Sequence, residues 1–504
     1  MERRLFLKNT LIGTSAVVLT PAAFLASCKP DPVTGCADWQ FGVVNGIDVL
    51  NPDFLNELPL PILETRSAIG AILKAEKLNI NLIGINNTPC YGFNTDNIWG
   101  PTLKLAVGET LSVSYTNNLD VESNIQWHGL SAPADNNGNP LNVVGIGETT
   151  NYAFTVNNRA GLYWYHAHVH GLAGKQLHLG LGGLVWVTGG DEVGLGLPSG
   201  ERDIHLVIAD KRFNEDDTLT YSPNISEKLS GYHGDKTMIN GALGPVHSVK
   251  TRIYRLRFVN ASNARIYNLG LTSGETTIPF TIIGGDGGLL ENALSAEAML
   301  LAPGERIDVL ADFSDLSVGD EVILRSSAFS NGGEEGSGGF DLMKFTIDAN
   351  EEETFVLDAS LSSIVEPVTT GSRTLNISNG NINNSQLCDD SEHIHDISGD
   401  PFDASVVNFT VNAGSAEEWV FDNSTGKEPR AMTIQGAQFT VSLRENGRNT
   451  VKQWEKGWKD TILCLPGEVV TVKVQFSNNP GKYVVYCTNM ENTDTGLMNV
   501  FEIV

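Results

Sequence analysis

From about Gly42 onward, apolar positions come in short runs rather than in a helical period. Stretches rich in Val, Ile, Thr and Tyr, such as Thr110 to Thr116, Tyr152 to Val156 and Val469 to Phe476, alternate with clusters of Gly, Asn, Asp and Pro. That spacing predicts β-strands in sandwiches stacked in series, an all-β fold. The 504 residues have room for about three such domains. We expect them near residues 40–190, 200–350 and 355–504. The first boundary falls in the Gly-rich segment Thr188 to Ser199 and the second in the acidic stretch Asn350-Glu351-Glu352-Glu353. Asn331 to Gly339 and the polar stretch Asn376 to Asp400 read as surface insertions.

Residues 1–27 break this pattern and read as a targeting segment. Arg3-Arg4-Leu5-Phe6-Leu7-Lys8 resembles the twin-arginine export signal, and an apolar stretch from Leu11 to Ala26 follows. Leu25-Ala26-Ser27-Cys28 resembles a bacterial lipobox, which implies cleavage before Cys28, a lipid anchor on that cysteine and a place in the bacterial cell envelope. A plain signal peptide cut nearby is the alternative. No other stretch has the length and apolarity to span a bilayer.

Composition narrows the partners. The net charge is -27, from 60 acidic and 33 basic residues. No Lys/Arg run is present, which argues against nucleic acid. Six cysteines occur, Cys28, Cys36, Cys90, Cys388, Cys464 and Cys487. Acylation of Cys28 would leave five, so at least one stays unpaired in a monomer. Cys36 with Cys90 is a candidate disulfide, although spacing alone does not set the pairing, and Cys487 is the candidate free thiol.

The strongest chemical signal is Gly161-Leu162-Tyr163-Trp164-Tyr165-His166-Ala167-His168-Val169-His170-Gly171. A strand sends alternate side chains to one face, so His166 and His168 leave together, joined by His170 if the strand persists. Neutral imidazoles so placed suit copper or zinc; a row of packed histidines is the bland alternative.

This segment, with Gln176 and Gly180-Leu181-Gly182-Gly183-Leu184, resembles the second copper motif of three-domain multicopper oxidases of the bacterial laccase and cuprous-oxidase group. Gly100-Pro101-Thr102-Leu103 and Gln126-Trp127-His128-Gly129-Leu130 resemble the start of the first domain and its first copper motif. Met238-Ile239-Asn240-Gly241, Arg255 to Asn260, Gly285-Asp286-Gly287-Gly288 and Pro303-Gly304-Glu305-Arg306 are similar to the middle domain, and Pro401-Phe402-Asp403 and Gly457 to Thr461 to the third. The resemblance implies three cupredoxin-like Greek-key sandwiches, with a type 1 copper that takes electrons from substrate and a trinuclear cluster that reduces dioxygen.

Carried over position by position, the resemblance implies a depleted metal set. His128, His166 and His168 match type 3 ligands, while Gln126 stands at a type 2 position. Arg430-Ala431-Met432-Thr433-Ile434-Gln435-Gly436 replaces the third motif, putting Arg430 at type 1, Thr433 at type 2 and Gln435 at type 3. In Tyr486-Cys487-Thr488 and the residues after it, only Cys487 matches a ligand. Tyr486 and Thr488 stand at type 3 positions, Asn492 at type 1 and Leu497 at the axial position. A trigonal His-His-Cys set defines a blue copper site, and a fixed guanidinium beside the thiol repels a metal ion. The count argues against four-electron oxygen reduction and a full four-copper complement.

Three readings follow. One copper, zinc or iron ion is held by His128, His166 and His168, with His170, His178, Gln126, Gln435 and Tyr486 as further candidates. Alternatively, the chain is a metal-free envelope assembly or interaction protein; the superfamily includes a copper-free, twin-arginine-exported cell-division protein that resembles this scaffold. A third reading is metal-free catalysis on an organic anion near Arg430 and Asn492. His393-Ile394-His395, in an acidic stretch, reads as a solvated loop, with a surface metal site as the alternative, and Met432, Met490 and Met498 as core rather than Cu(I) ligands.

Overall fold

The computed structural model describes residues 51–504 apart from 53, 55–59, 84–86, 331, 333–335, 359 and 379–393. The export segment, Cys28, Cys36, Cys388 and His393 therefore lie outside the described residues, as do parts of both expected insertions.

Among the described residues, strands pair into six sheets, two to each of three sandwiches in chain order. The physical basis is the alternation visible in Thr110–Asn117, where every second side chain is buried. In the first sandwich the inward faces meet in a core that includes Leu73, Leu111, Trp127 and Val185. The second has its own core around Leu256, Leu269, Val309 and Phe345, and the third around Trp419, Val472, Val485 and Phe501. These are the cupredoxin-like β-sandwiches expected from the sequence.

The segments between sandwiches are pinned by charge. Glu192 takes hydrogen bonds from Arg255 at 2.6 and 3.3 Å. Glu353 accepts from the Ile253 backbone N–H at 2.6 Å. Three short helices, α1 (Ala173–Leu179), α2 (Ile225–Ser230) and α3 (Met490–Asp494), pack on one another where the sandwiches meet. Among the described residues no helix is long and apolar enough to cross a membrane. Cys90, Cys464 and Cys487 are free and buried. The candidate partner of Cys36 is thus a free thiol, whose pKa burial pushes up to about 11.

Candidate functional site

Strand Gln126–His128 runs antiparallel to Gly161–His166, with Gln126 opposite His166 and His128 opposite Trp164. Alternation settles the rest. Trp127, Tyr163 and Tyr165 point into the first core, so Gln126, His128, Trp164 and His166 share the opposite face. All four are buried.

The third sandwich closes over that face. Tyr486, on strand Gly481–Cys487, places its hydroxyl 3.2 Å from His128 Nδ1 and receives the Gln126 amide N–H at 2.8 Å. His128 Nε2 lies 3.0 Å from Thr461 Oγ1 and 3.2 Å from an Asp460 carboxylate oxygen. The second sandwich supplies Arg306, which grips Asp460 with both terminal nitrogens, one at 2.7 Å. Burial alone would raise the Asp460 pKa, but the guanidinium overrides it and holds the carboxyl well below the usual carboxylate range. Gly129 makes the approach feasible: it has φ +84°, and a Cβ there would lie 2.5 Å from Asp460 Oδ2 and 2.6 Å from Arg306 Nη2.

These contacts fix tautomers. An ionised carboxylate only accepts, so His128 carries its proton on Nε2 and presents the lone pair of Nδ1. His166 Nδ1 lies 2.9 Å from the Ala167 carbonyl, which also only accepts, so that ring presents the lone pair of Nε2. The two lone-pair nitrogens stand 3.3 Å apart. Burial, more than any neighbour, lowers both pKa values and keeps the rings neutral.

His168 follows the strand's end and is held by Asn124, which accepts its backbone N–H at 2.7 Å and donates to its carbonyl at 3.2 Å. Its ring lies 4.4 Å from that of Tyr486 and 5.9 Å from that of His166, centroid to centroid. Neither of its ring nitrogens hydrogen-bonds a described residue, and the same holds for both polar atoms of the Gln435 side chain. Burial pushes the His168 pKa down to about 3. Among the described residues, no three His, Cys, Asp or Glu side chains are arranged to hold a metal ion. The His166 ring lies 5.5 Å from that of His128, centroid to centroid.

Other candidates fall elsewhere. The strand stops at His166, so His170 does not continue its face and packs on Phe402, ring centroids 4.7 Å apart. His178, on α1, is turned toward Tyr221 and Tyr232. Thr488 donates to backbone carbonyls of Pro303 and Ala431 at 2.7 and 3.0 Å.

A second buried cluster surrounds Cys487. Arg430, opposite Cys464 on the neighbouring strand, donates to Asn492 Oδ1 at 2.7 Å and to the Leu229 carbonyl at 3.3 Å. Cys487 Sγ lies 3.8 Å from the same Asn492 oxygen. Burial raises the thiol's pKa against the opposing pull of Arg430. Leu497 is packed in the third core. His395, expected in a solvated loop, is instead buried here, with Nδ1 2.8 Å from Thr495 Oγ1 and Nε2 3.5 Å from Arg430. The acidic surroundings gave no sign of this.

Multicopper oxidase models match residues 74–191 and 369–504. The chain is 29% identical over 437 residues to "Multicopper oxidase mco" of Staphylococcus haemolyticus, covering 86% of this chain and 88% of that one. It is 28% identical over 453 residues to "Cell division protein FtsP" of Xenorhabdus nematophila, covering 88% and 91%. The crystal structure of the McoA multicopper oxidase of Aquifex aeolicus superposes with a TM-score of 0.80 at 30% identity, covering 89% of this chain and all of that one. With three sandwiches in the same order, and with motif histidines buried where the first and third meet, the chain belongs to the multicopper oxidase family.

Proposed function

We propose that this protein is an exported family member that has lost the electron-entry copper and the type 2 ligands, and that it holds a single metal ion at the His128–His166 pair. One observation carries the reading: two neutral imidazoles face each other lone pair to lone pair, each locked in that tautomer by a protein acceptor on its other nitrogen. The Tyr486 hydroxyl lies 3.2 Å from His128 Nδ1 and would give way to a cation there, and acceptors behind ligating imidazoles are the usual orienting device. Two nitrogens bound at about 2.0–2.1 Å to one tetrahedral ion stand roughly 3.3 Å apart, so the pair fits one ion. Copper, zinc or iron suits imidazole. A bound ion would supply Lewis acidity or one-electron chemistry to a small ligand. Tyr486 and Gln126 would orient that ligand.

The Cys487 cluster does not fit a copper ion. Its thiol is protonated and its neighbours are an amide and a guanidinium, so it lacks the donor set of an electron-entry copper. The finer reading of location is a lipid anchor on Cys28 in the bacterial envelope; similarity to proteins named for cell division supports an envelope role. That same similarity, with the absence of a three-ligand group among the described residues, favours metal-free assembly as the second reading.

Metal analysis of the envelope-purified protein, before and after reconstitution with Cu, Zn or Fe, separates the two. About one equivalent, lost in His166→Ala, is expected; less than about a tenth of an equivalent of any metal sinks the metal reading.

A further inference from the structure

Between the first and second sandwiches lies a cavity of about 460 Å³. Its volume falls within the range of small-molecule sites, which favour seams between domains. Part of the lining is the stretch that carries the chain from the second sandwich to the first. The Leu60 N–H bonds the Val246 carbonyl at 3.0 Å, and Thr65 pairs with Thr102. Between those anchors the lining is apolar, with Pro61, Ile62 and Leu63. Ile62 is 88% exposed, so an apolar ligand that covered it would gain from removing that surface from water.

The second sandwich brings charge to the same cavity: the carboxylates of Glu201, Asp203 and Asp348 against the one ammonium of Lys250. Asp203 is committed to Arg257, which donates to it at 2.8 and 3.0 Å. Lys250 lies 3.4 Å from Glu201 and 2.8 Å from Glu351. That leaves Asp348, which is exposed, without an ion pair among the described residues. Its position is a departure from regular pairing. Strand Phe340–Ala349 runs beside Val246–Lys250, with Val249 opposite Ile347 and Lys250 opposite Ala349, so Asp348 is the extra residue of a β-bulge. Bulges re-aim a side chain and recur next to binding sites.

Two neighbours of these carboxylates also line the cavity. Burial lowers the His247 pKa, with Asp348 opposing it, so the ring is neutral at pH 7 and offers one lone pair. Tyr254 accepts the Lys250 backbone N–H at 2.9 Å. Burial raises its pKa, and Glu201 and Asp348 add to the rise, so the field at its hydroxyl carries the sign of the carboxylates. An anion would find only Lys250, already held by two carboxylates. A group that donates several N–H bonds and carries positive charge finds acceptors in Asp348 and His247.

We propose that this cavity binds an organic ammonium ion, a primary amine on an apolar body, with the body against Leu60, Ile62 and Ile204 and the ammonium at Asp348 and His247. The site shares no residue with the His128 or Cys487 clusters. The test uses the full protein in low-salt buffer and ligand-observed NMR titrations of four probes: benzylammonium, benzyl alcohol, benzoate and methylammonium. Benzylammonium should bind with a Kd of about 10 mM or tighter, and at least about fivefold more tightly than each of the others, the factor an exposed ion pair supplies. Added salt should weaken it by screening that pair. Asp348→Asn exchanges an exposed carboxylate for an amide of the same shape, so the melting temperature should hold while benzylammonium binding falls at least about fivefold. Four results would overturn the proposal: no benzylammonium binding at about 10 mM, benzyl alcohol or benzoate binding as tightly, methylammonium binding as tightly, or undiminished binding in Asp348→Asn. If Asp348→Asn proves unstable, Ile62→Ser, at an 88%-exposed position, is read in its place: it should weaken benzylammonium, and undiminished binding overturns the proposal.

Discussion

The His128–His166 pair and the Cys487–Arg430 pair are equally buried, and both sit where sandwiches meet, yet their surroundings act in opposite directions. Behind His128 stands an anion, Asp460, itself held ionised by Arg306 from another sandwich. Beside the thiol stands a guanidinium whose hydrogen bonds include a neutral amide oxygen and a backbone carbonyl. The first arrangement presents lone pairs to a cation; the second places a cation in the protein itself. On the proposed reading, the charge beside each pair is what distinguishes a metal site from a metal-free cluster.

The largest effect should come from removing the charge beside His128. Asp460→Ala leaves Arg306 buried with only the more distant Asp286 carboxylate, 3.6 Å away, and frees His128 to change tautomer. Chemical denaturation should show a loss of about 3–5 kcal/mol, the range for breaking a buried ion pair. A loss under about 1 kcal/mol would mean that the pair does not organise the site.

The next experiment attempts to convert one region into the other. Arg430→His with Asn492→His would complete a His-His-Cys set around Cys487. Copper loading should then produce an intense blue absorption that the wild type lacks. A blue band in the wild type would show that the missing histidines are supplied by other residues, and the proposed loss of the electron-entry site would fail.

The fold was legible because alternation is local: every second residue of a strand faces a core, whatever lies across the sheet. His166 was legible as a residue of an alternating strand, whereas His128 was legible only from the resemblance of Gln126-Trp127-His128-Gly129-Leu130 to a known motif. What sequence could not show were contacts between distant segments. Arg306 and Asp460 are 154 residues apart, and no local pattern ties them. His170 and His178 misled because the strand ends at His166 and α1 turns His178 to another neighbourhood. His395 was hidden by its polar flanks; its contacts include Arg430, 35 residues away.

A smaller, pH-dependent effect tests how the two regions are joined. Asp494, on the same short helix as Asn492, accepts the Ala173 and Gly174 backbone N–H groups of α1 at 3.1 and 2.8 Å. Burial raises its pKa to about 7 against the help of those N–H groups, and nearby Glu491, itself raised by burial, adds to the rise. A carboxyl whose folded pKa lies above its unfolded one binds more protons when folded. Its contribution is full below the unfolded value near 3.8 and is lost as pH climbs through about 7. Relative to Asp494→Asn, the wild type should therefore gain stability on acidification from neutrality, by up to about 1.4 kcal/mol per pH unit. Parallel curves would show that the helix contact is insensitive to protonation.

The smallest effect is expected at Cys487. Its thiol is buried, protonated and 3.8 Å from its one side-chain acceptor, Asn492, so Cys487→Ala removes little beyond packing. About 1 kcal/mol of stability should be lost, the lower end of core truncations, and metal content should match the wild type, whereas His166→Ala should abolish it. The contrast between these two single substitutions is informative because family membership alone would assign both residues to copper. If Cys487→Ala instead lowers metal content, a thiolate must form in spite of the burial that favours the thiol. Arg430 would then be the counter-charge of that thiolate, and the cluster proposed to be metal-free would be the metal site.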